Sequence, residues 1–152
     1  MLHPDQRADR YADMPASLRK AIGALSAKHA VNPRVMMEIA KIESGGNGYK
    51  ADTRNGSMLG VWQFDPKTAK AYGLNPAQRT DVWKSTDAAI RLYKDNAEEL
   101  QDILGRKPKP GEVFLGHLMG LGGAEKILKN PHKNAVARSE ERRVGKECRS
   151  RW

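Results

Sequence analysis

The feature that most restricts the fold of this chain is a long apolar stripe in its second half. Ile90, Tyr93, Ala97, Leu100 and Leu104 recur at helical steps, and Gly105 follows the last of them. Such spacing puts the five side chains on one face of a single helix, and a glycine just past the end is a common stop. The sequence places the cap of this helix at Ser85 or Thr86. Shorter helical patterns flank it. Pro15 opens one on which Leu18, Ile22 and Leu25 recur, ending near His29. Asn32 and Pro33 open a second, and Asp65-Pro66 a third that runs to Tyr72-Gly73. Past the turn enforced by Pro108 and Pro110, residues 112–120 read as a helix with Val113, Phe114, His117 and Leu118 or Leu121 inward. Gly122-Gly123 is expected to break it, leaving a last short helix over 124–129.

Between Gly45 and Gly60 the character changes. Five glycines mix with Asn47, Asp52 and Asn55, and Asn55-Gly56 is a strong tight-turn pair. The expected fold class is therefore mainly α, with at most a small irregular β-hairpin near 50–64.

At 152 residues the chain has the length of one domain. Residues 1–14 are polar and are expected to be loosely held, residues 15–130 form the domain, and residues 131–152 form a basic tail. From Arg138 the tail reads RSEERRVGKECRSRW, with neither helical nor strand periodicity. It resembles the translation of a common sequencing-adapter oligonucleotide and is expected to be non-native. It holds the only cysteine, Cys148, so residues 1–137 form no disulfide.

The formal net charge is +9, of which the tail contributes +3 and the remainder +6. A basic surface points to an anionic partner, either nucleic acid or a bacterial wall with its acidic peptides and polymers. The Lys and Arg residues are scattered and form no stripe along one helix, so a nucleic-acid binder ranks last. No apolar run has membrane-spanning length, and membrane insertion is not expected. The first residues, MLHPDQR, lack the apolar core of a secretory signal.

The most informative single residue is Glu43, four residues after Ile39 and seven after Met36 near the end of the second helix. It falls on or beside the buried face, where a carboxylate is rare unless paired or used. Burial and the negative helix end would both raise its pKa, and a protonated acid of that kind can donate to a leaving group. The plainer reading, of equal weight on this helix alone, is a Glu reaching into water or pairing with Lys41 or Lys50.

Other chemistries find little support. His3, His29, His117 and His132 are dispersed and have no partner cysteine, so no metal and no cofactor is expected. Ser44, Ser57 and Ser85 lack the glycine-flanked nucleophile elbow. A lone embedded Glu beside a Gly-rich loop and aromatics suits carbohydrate cleavage instead. Trp62 and Trp83 offer indole faces for sugar rings, against the ordinary use of a Trp in core packing. Gln63 offers both a donor and an acceptor for a sugar amide, against a structural use.

The order Glu43-Ser44, then Gly60-Val-Trp-Gln-Phe64, then Leu115 to Ala124 (LGHLMGLGGA) resembles the soluble lytic transglycosylase domain, family 23 of the glycoside hydrolases, in its phage-like branch. The likeness runs from about Ala16 to Leu128. The commoner form of the third segment has a Tyr-Asn pair where this chain has Leu118-Met119. The resemblance implies a lysozyme-like, two-lobed helical domain that binds peptidoglycan glycan strands and acts as a monomer. It implies Glu43 as the catalytic acid and base, with Ser44, Asp52, Trp62, Gln63, His117 and Met119 as candidate substrate contacts. The implied reaction cleaves the bond between N-acetylmuramic acid and N-acetylglucosamine and leaves a 1,6-anhydro product. One near alternative is a hydrolytic muramidase using Glu43 with Asp52. Another is a non-catalytic wall-binding or phage structural module. The implied place of action is the periplasm or cell wall, reached as a virion component or on lysis.

Overall fold

The computed structural model describes residues 9–44 and 48–129. Among these, six α-helices and one two-stranded antiparallel sheet follow a short 3-10 turn at Asp9–Tyr11. The helices are α1 (Ala16–Lys28), α2 (Pro33–Ser44), α3 (Pro66–Ala71), α4 (Val82–Leu104), α5 (Pro110–Met119) and α6 (Leu121–Lys129). The strands are β1 (Arg54–Asn55) and β2 (Met58–Leu59), and a second 3-10 turn, Pro76–Thr80, leads into α4. The mainly helical class with a small hairpin is as the sequence predicts.

α4 is the beam on which the rest is hung. Its N-terminal half gives Ala88, Ala89, Ile90 and Tyr93 to the main core, where they meet Leu18 and Ile22 of α1 and Met36, Ile39 and Ala40 of α2. Ten residues after Ile90, Leu100 enters a second, smaller core with Leu115 of α5 and Ala124 of α6. α5 also serves both cores, giving Val113 to the first and Leu115 to the second. The two lobes thus share two helices, each of which divides its buried face between them.

Several local features differ from the sequence-based expectation. The cap of α4 is Asp81, whose side chain accepts the Lys84 N–H at 2.8 Å. Ser85 and Thr86 lie one turn inside the helix and are buried; Asp, Ser and Thr all make good caps, so burial decided among them. The break between the last two helices falls at Gly120 (φ 77°), while Gly122 and Gly123 lie within α6. Gly116 of α5 and Gly123 of α6 serve packing. A Cβ on Gly116 would meet Leu121 Cδ2 at 3.0 Å, and one on Gly123 would meet Met119 Cβ at 3.3 Å. Leu115 is buried on α5, whereas Phe114, His117 and Leu118 are half-buried. Within residues 9–14, Tyr11 and Met14 belong to the main core. The expectations for residues 1–8, the glycines at 45–46 and the tail from 131 lie outside the described residues.

Candidate active site

The helix that carries Glu43 starts where Asn32 Oδ1 accepts the Arg34 N–H at 3.0 Å. Its buried residues are Met36, Ile39, Ala40, Glu43 and Ser44, whereas Ile42 is exposed. The buried stripe therefore follows the i, i+3, i+4, i+7 rule with Glu43 as its last large member. Glu43 is only 4% exposed. That sets aside the reading in which it reaches past the helix end into water. Lys41 is directed elsewhere, donating to Arg10 O at 3.2 Å and lying over the Tyr11 ring. Taking a carboxyl group out of water penalises its anion, which is the condition for a proton donor near neutral pH. Ser44 is buried beside it, with its hydroxyl 3.5 Å from Lys41 O, the outer limit of a hydrogen bond.

The hairpin carries the next candidate residues along the chain. Asn55 pairs with Met58 and Arg54 with Leu59, so Gly56 (φ 61°) and Ser57 make the connecting turn that Asn55-Gly56 announces. Asp52 is exposed and sits inside a turn closed by the Thr53 N–H to Lys50 O at 3.2 Å. Gln63 is buried and takes a left-handed backbone (φ 53°). Its amide nitrogen donates to Thr53 O at 3.0 Å and to Gly60 O at 2.8 Å. The nitrogen is thus committed to the hairpin backbone, and Gln63 Oε1 is left buried without a hydrogen-bond partner.

The two tryptophans divide the roles that the sequence left open. Trp62 is fully buried, and its indole N–H donates to Thr86 Oγ1 at 3.0 Å. It has no face open for a sugar ring; it ties the hairpin segment to α4. Trp83, at the second position of α4, is 44% exposed and presents the open indole. His117 and Met119 part company on α5. His117 lies three and four residues after Phe114 and Val113, which pack on the main core, so it shares their face. Met119 packs in the second core.

Two features escape sequence reasoning. Arg79 is buried and donates to three backbone carbonyls, Pro76 O at 3.2 Å, Ser57 O at 2.7 Å and Phe64 O at 3.1 Å. No spacing rule links an arginine to carbonyls in another segment, so no signal marks it. On α2, Glu38 takes a fork from Arg10 and a hydrogen bond from the Tyr11 hydroxyl at 2.6 Å. The Arg10 hydrogen bonds hold the Glu38 pKa down to about 2 against the opposing pull of burial. Its partners come from 27 and 28 residues away.

Among the described residues no group of His, Cys, Asp and Glu has the arrangement of a metal site, and no helix is long and apolar enough to cross a membrane. The family model of the transglycosylase SLT domain matches residues 20–137. No curated protein matches the chain.

Proposed function

Because the chain belongs to the transglycosylase SLT domain family, a lytic-transglycosylase type of domain that acts on peptidoglycan, we propose that Glu43 is its catalytic acid and base. The observation that carries this reading is the burial of Glu43 at the end of α2. In the forward step the Glu43 carboxylic acid gives its proton to the glycosidic oxygen between N-acetylmuramic acid and N-acetylglucosamine. The C1–O bond breaks as the acetamido oxygen of the muramic sugar supports C1. Glu43, now a carboxylate, takes the proton of the muramic C6 hydroxyl, whose oxygen closes on C1 and displaces the acetamido group. The product is a 1,6-anhydro sugar, water is not consumed, and Glu43 ends protonated as it began. One carboxylate suffices because the substrate supplies the second group, an exception to the two-carboxylate scheme.

The placement of Asp52 supports this over hydrolysis. It is exposed, within a turn, where a carboxylate is hydrated and a turn residue is the ordinary use of an Asp. Ser44, His117 and the hairpin residues around Gln63 are proposed to line the sugar next to the cleaved bond. Trp62 supports them from the core, and Met119 acts through the second lobe. The place of action is the cell wall, where the substrate is.

The test is the product. Purified sacculi are digested with the protein and the soluble fraction is read by mass spectrometry. Anhydro-muropeptides are expected; reducing ends in their place would establish a muramidase. Sacculi that bind the protein but release nothing would make it a wall-binding module.

A further inference from the structure

A buried arginine normally stands opposite a carboxylate, because taking a guanidinium out of water costs several kcal/mol that an opposite charge helps to offset. Arg79 is 7% exposed, and its hydrogen bonds all run to backbone carbonyls. Well-packed apolar side chains in such a place are often as stabilising as buried charge, or more so. What a guanidinium adds is geometry, a rigid planar fork whose N–H groups fix several acceptors at once.

Two of the acceptors belong to the hairpin unit and the third to Arg79's own turn. Ser57 O is at the hairpin tip, Phe64 O at its base, and Pro76 O in the turn that carries Arg79 itself. Phe64 O also accepts the Leu59 N–H at 3.1 Å, so the guanidinium joins the end of the strand ladder. The main chain of Arg79 is as close as the side chain. Gly60 (φ 93°) packs on it so tightly that a Cβ there would stand 2.2 Å from Arg79 O. Gly60 in turn donates to Thr53 O at 2.8 Å, the same carbonyl that Gln63 uses. One side chain therefore sets the angle of the hairpin, and through Gly60 and Phe64 the position of Gln63, relative to the start of α4.

We propose that Arg79 is a positioning residue for glycan binding, holding the hairpin in the orientation in which the segment around Gln63 meets a sugar chain. This rests on the reading of the site given above. Glu43 belongs to α2, which Arg79 does not touch through any of these bonds. Loosening the clamp then weakens glycan binding while leaving proton transfer alone.

The test uses the full chain and soluble, uncross-linked peptidoglycan strands as substrate. Arg79→Lys keeps the charge and loses the fork. It is expected to raise KM by about fivefold or more, a shift of the size that sub-ångström misplacement produces. Its kcat stays within about twofold, and the pH profile is unchanged. Arg79→Ala is expected to show the same KM effect, partly reversed by added guanidinium ion. A purely structural arginine gives the opposite pattern, a lower melting temperature and a kcat reduced with the folded fraction at unchanged KM. That pattern overturns the proposal. Should neither variant fold, amide hydrogen exchange on the unaltered protein decides. Slower exchange at Leu59, Gly60 and Phe64 when strands are added supports the clamp, and unchanged exchange at all three overturns it. If the unaltered protein binds strands without cutting them, the catalytic reading fails, and Arg79 is judged on Kd in place of KM. If it neither binds nor cuts, both readings fall.

Discussion

Glu38 and Glu43 sit on the same helix and have opposite surroundings. Glu38, in the middle of α2, is about one-third exposed and held by a guanidinium and a phenol. Its pKa is lowered to about 2 by the Arg10 hydrogen bonds, so it is an anion at neutral pH. Glu43, one residue from the end, is in the core face and almost out of water. A carboxylate with a bidentate cation is good for fastening and useless as an acid. A carboxyl group without water around it is costly for stability and suited to moving a proton. The difference teaches that the chemistry open to a glutamate on this helix is assigned by its surroundings, not by residue type.

The largest expected effect breaks the comparison at Glu43, the proposed acid. Glu43→Gln removes the titrating group and keeps the shape. Release of soluble fragments from sacculi should fall by about two to four orders of magnitude, the usual contribution of a general acid. The melting temperature should stay within a few degrees. A Glu43→Gln protein that still cuts would remove the basis of the mechanism.

Next comes the fastening end. Glu38→Gln is expected to lower the melting temperature by a few degrees at neutral pH and leave turnover intact, since the pair is partly exposed and screened. The sign of its pH dependence follows from the lowered pKa. The folded-state value of about 2 lies below the ordinary 4.5, so the stabilisation is fully present above about pH 4.5 and is lost as pH falls towards 2. The gap between the two proteins in thermal melts should therefore close across that window. A constant gap would show that Glu38 acts through packing alone.

A smaller effect is expected from Tyr11→Phe, which removes one of the hydrogen bonds to Glu38 and keeps the buried ring. It should cost about 1 kcal/mol in denaturant melts and nothing in activity. The smallest belongs to Asp52→Asn. An amide serves a turn nearly as well as a carboxylate, so anhydro-product formation should change by no more than about twofold. A loss as large as that of Glu43→Gln would point to a second catalytic carboxylate and to hydrolysis.

The contrast also shows how far the sequence could be read. The periodicity of Met36, Ile39 and Glu43 is local, so the buried position of Glu43 was legible from spacing alone. The turn at Asn55-Gly56 and the stripe on α4 were legible for the same reason. The surroundings of Glu38 were not, because Arg10 and Tyr11 reach it from another element. The choice between Trp62 and Trp83 as the buried indole depends on where Thr86 lies in three dimensions. Arg79 was invisible because its acceptors are carbonyls, which every residue carries. Sequence reading thus reached the burial of Glu43 and missed much of the frame that holds the hairpin.

The division of α4 between two cores has a consequence for how such a chain can vary. Ile90 points into one core and Leu100 into the other, so the rod between them fixes both the separation and the relative rotation of the lobes. A single inserted residue there would swing everything downstream by about 100° and advance it by about 1.5 Å. Leu100 would then face away from Leu115 and Ala124. Drift in this segment is thereby confined to replacement of side chains, and growth or shrinkage of the rod is admissible only in near-whole turns.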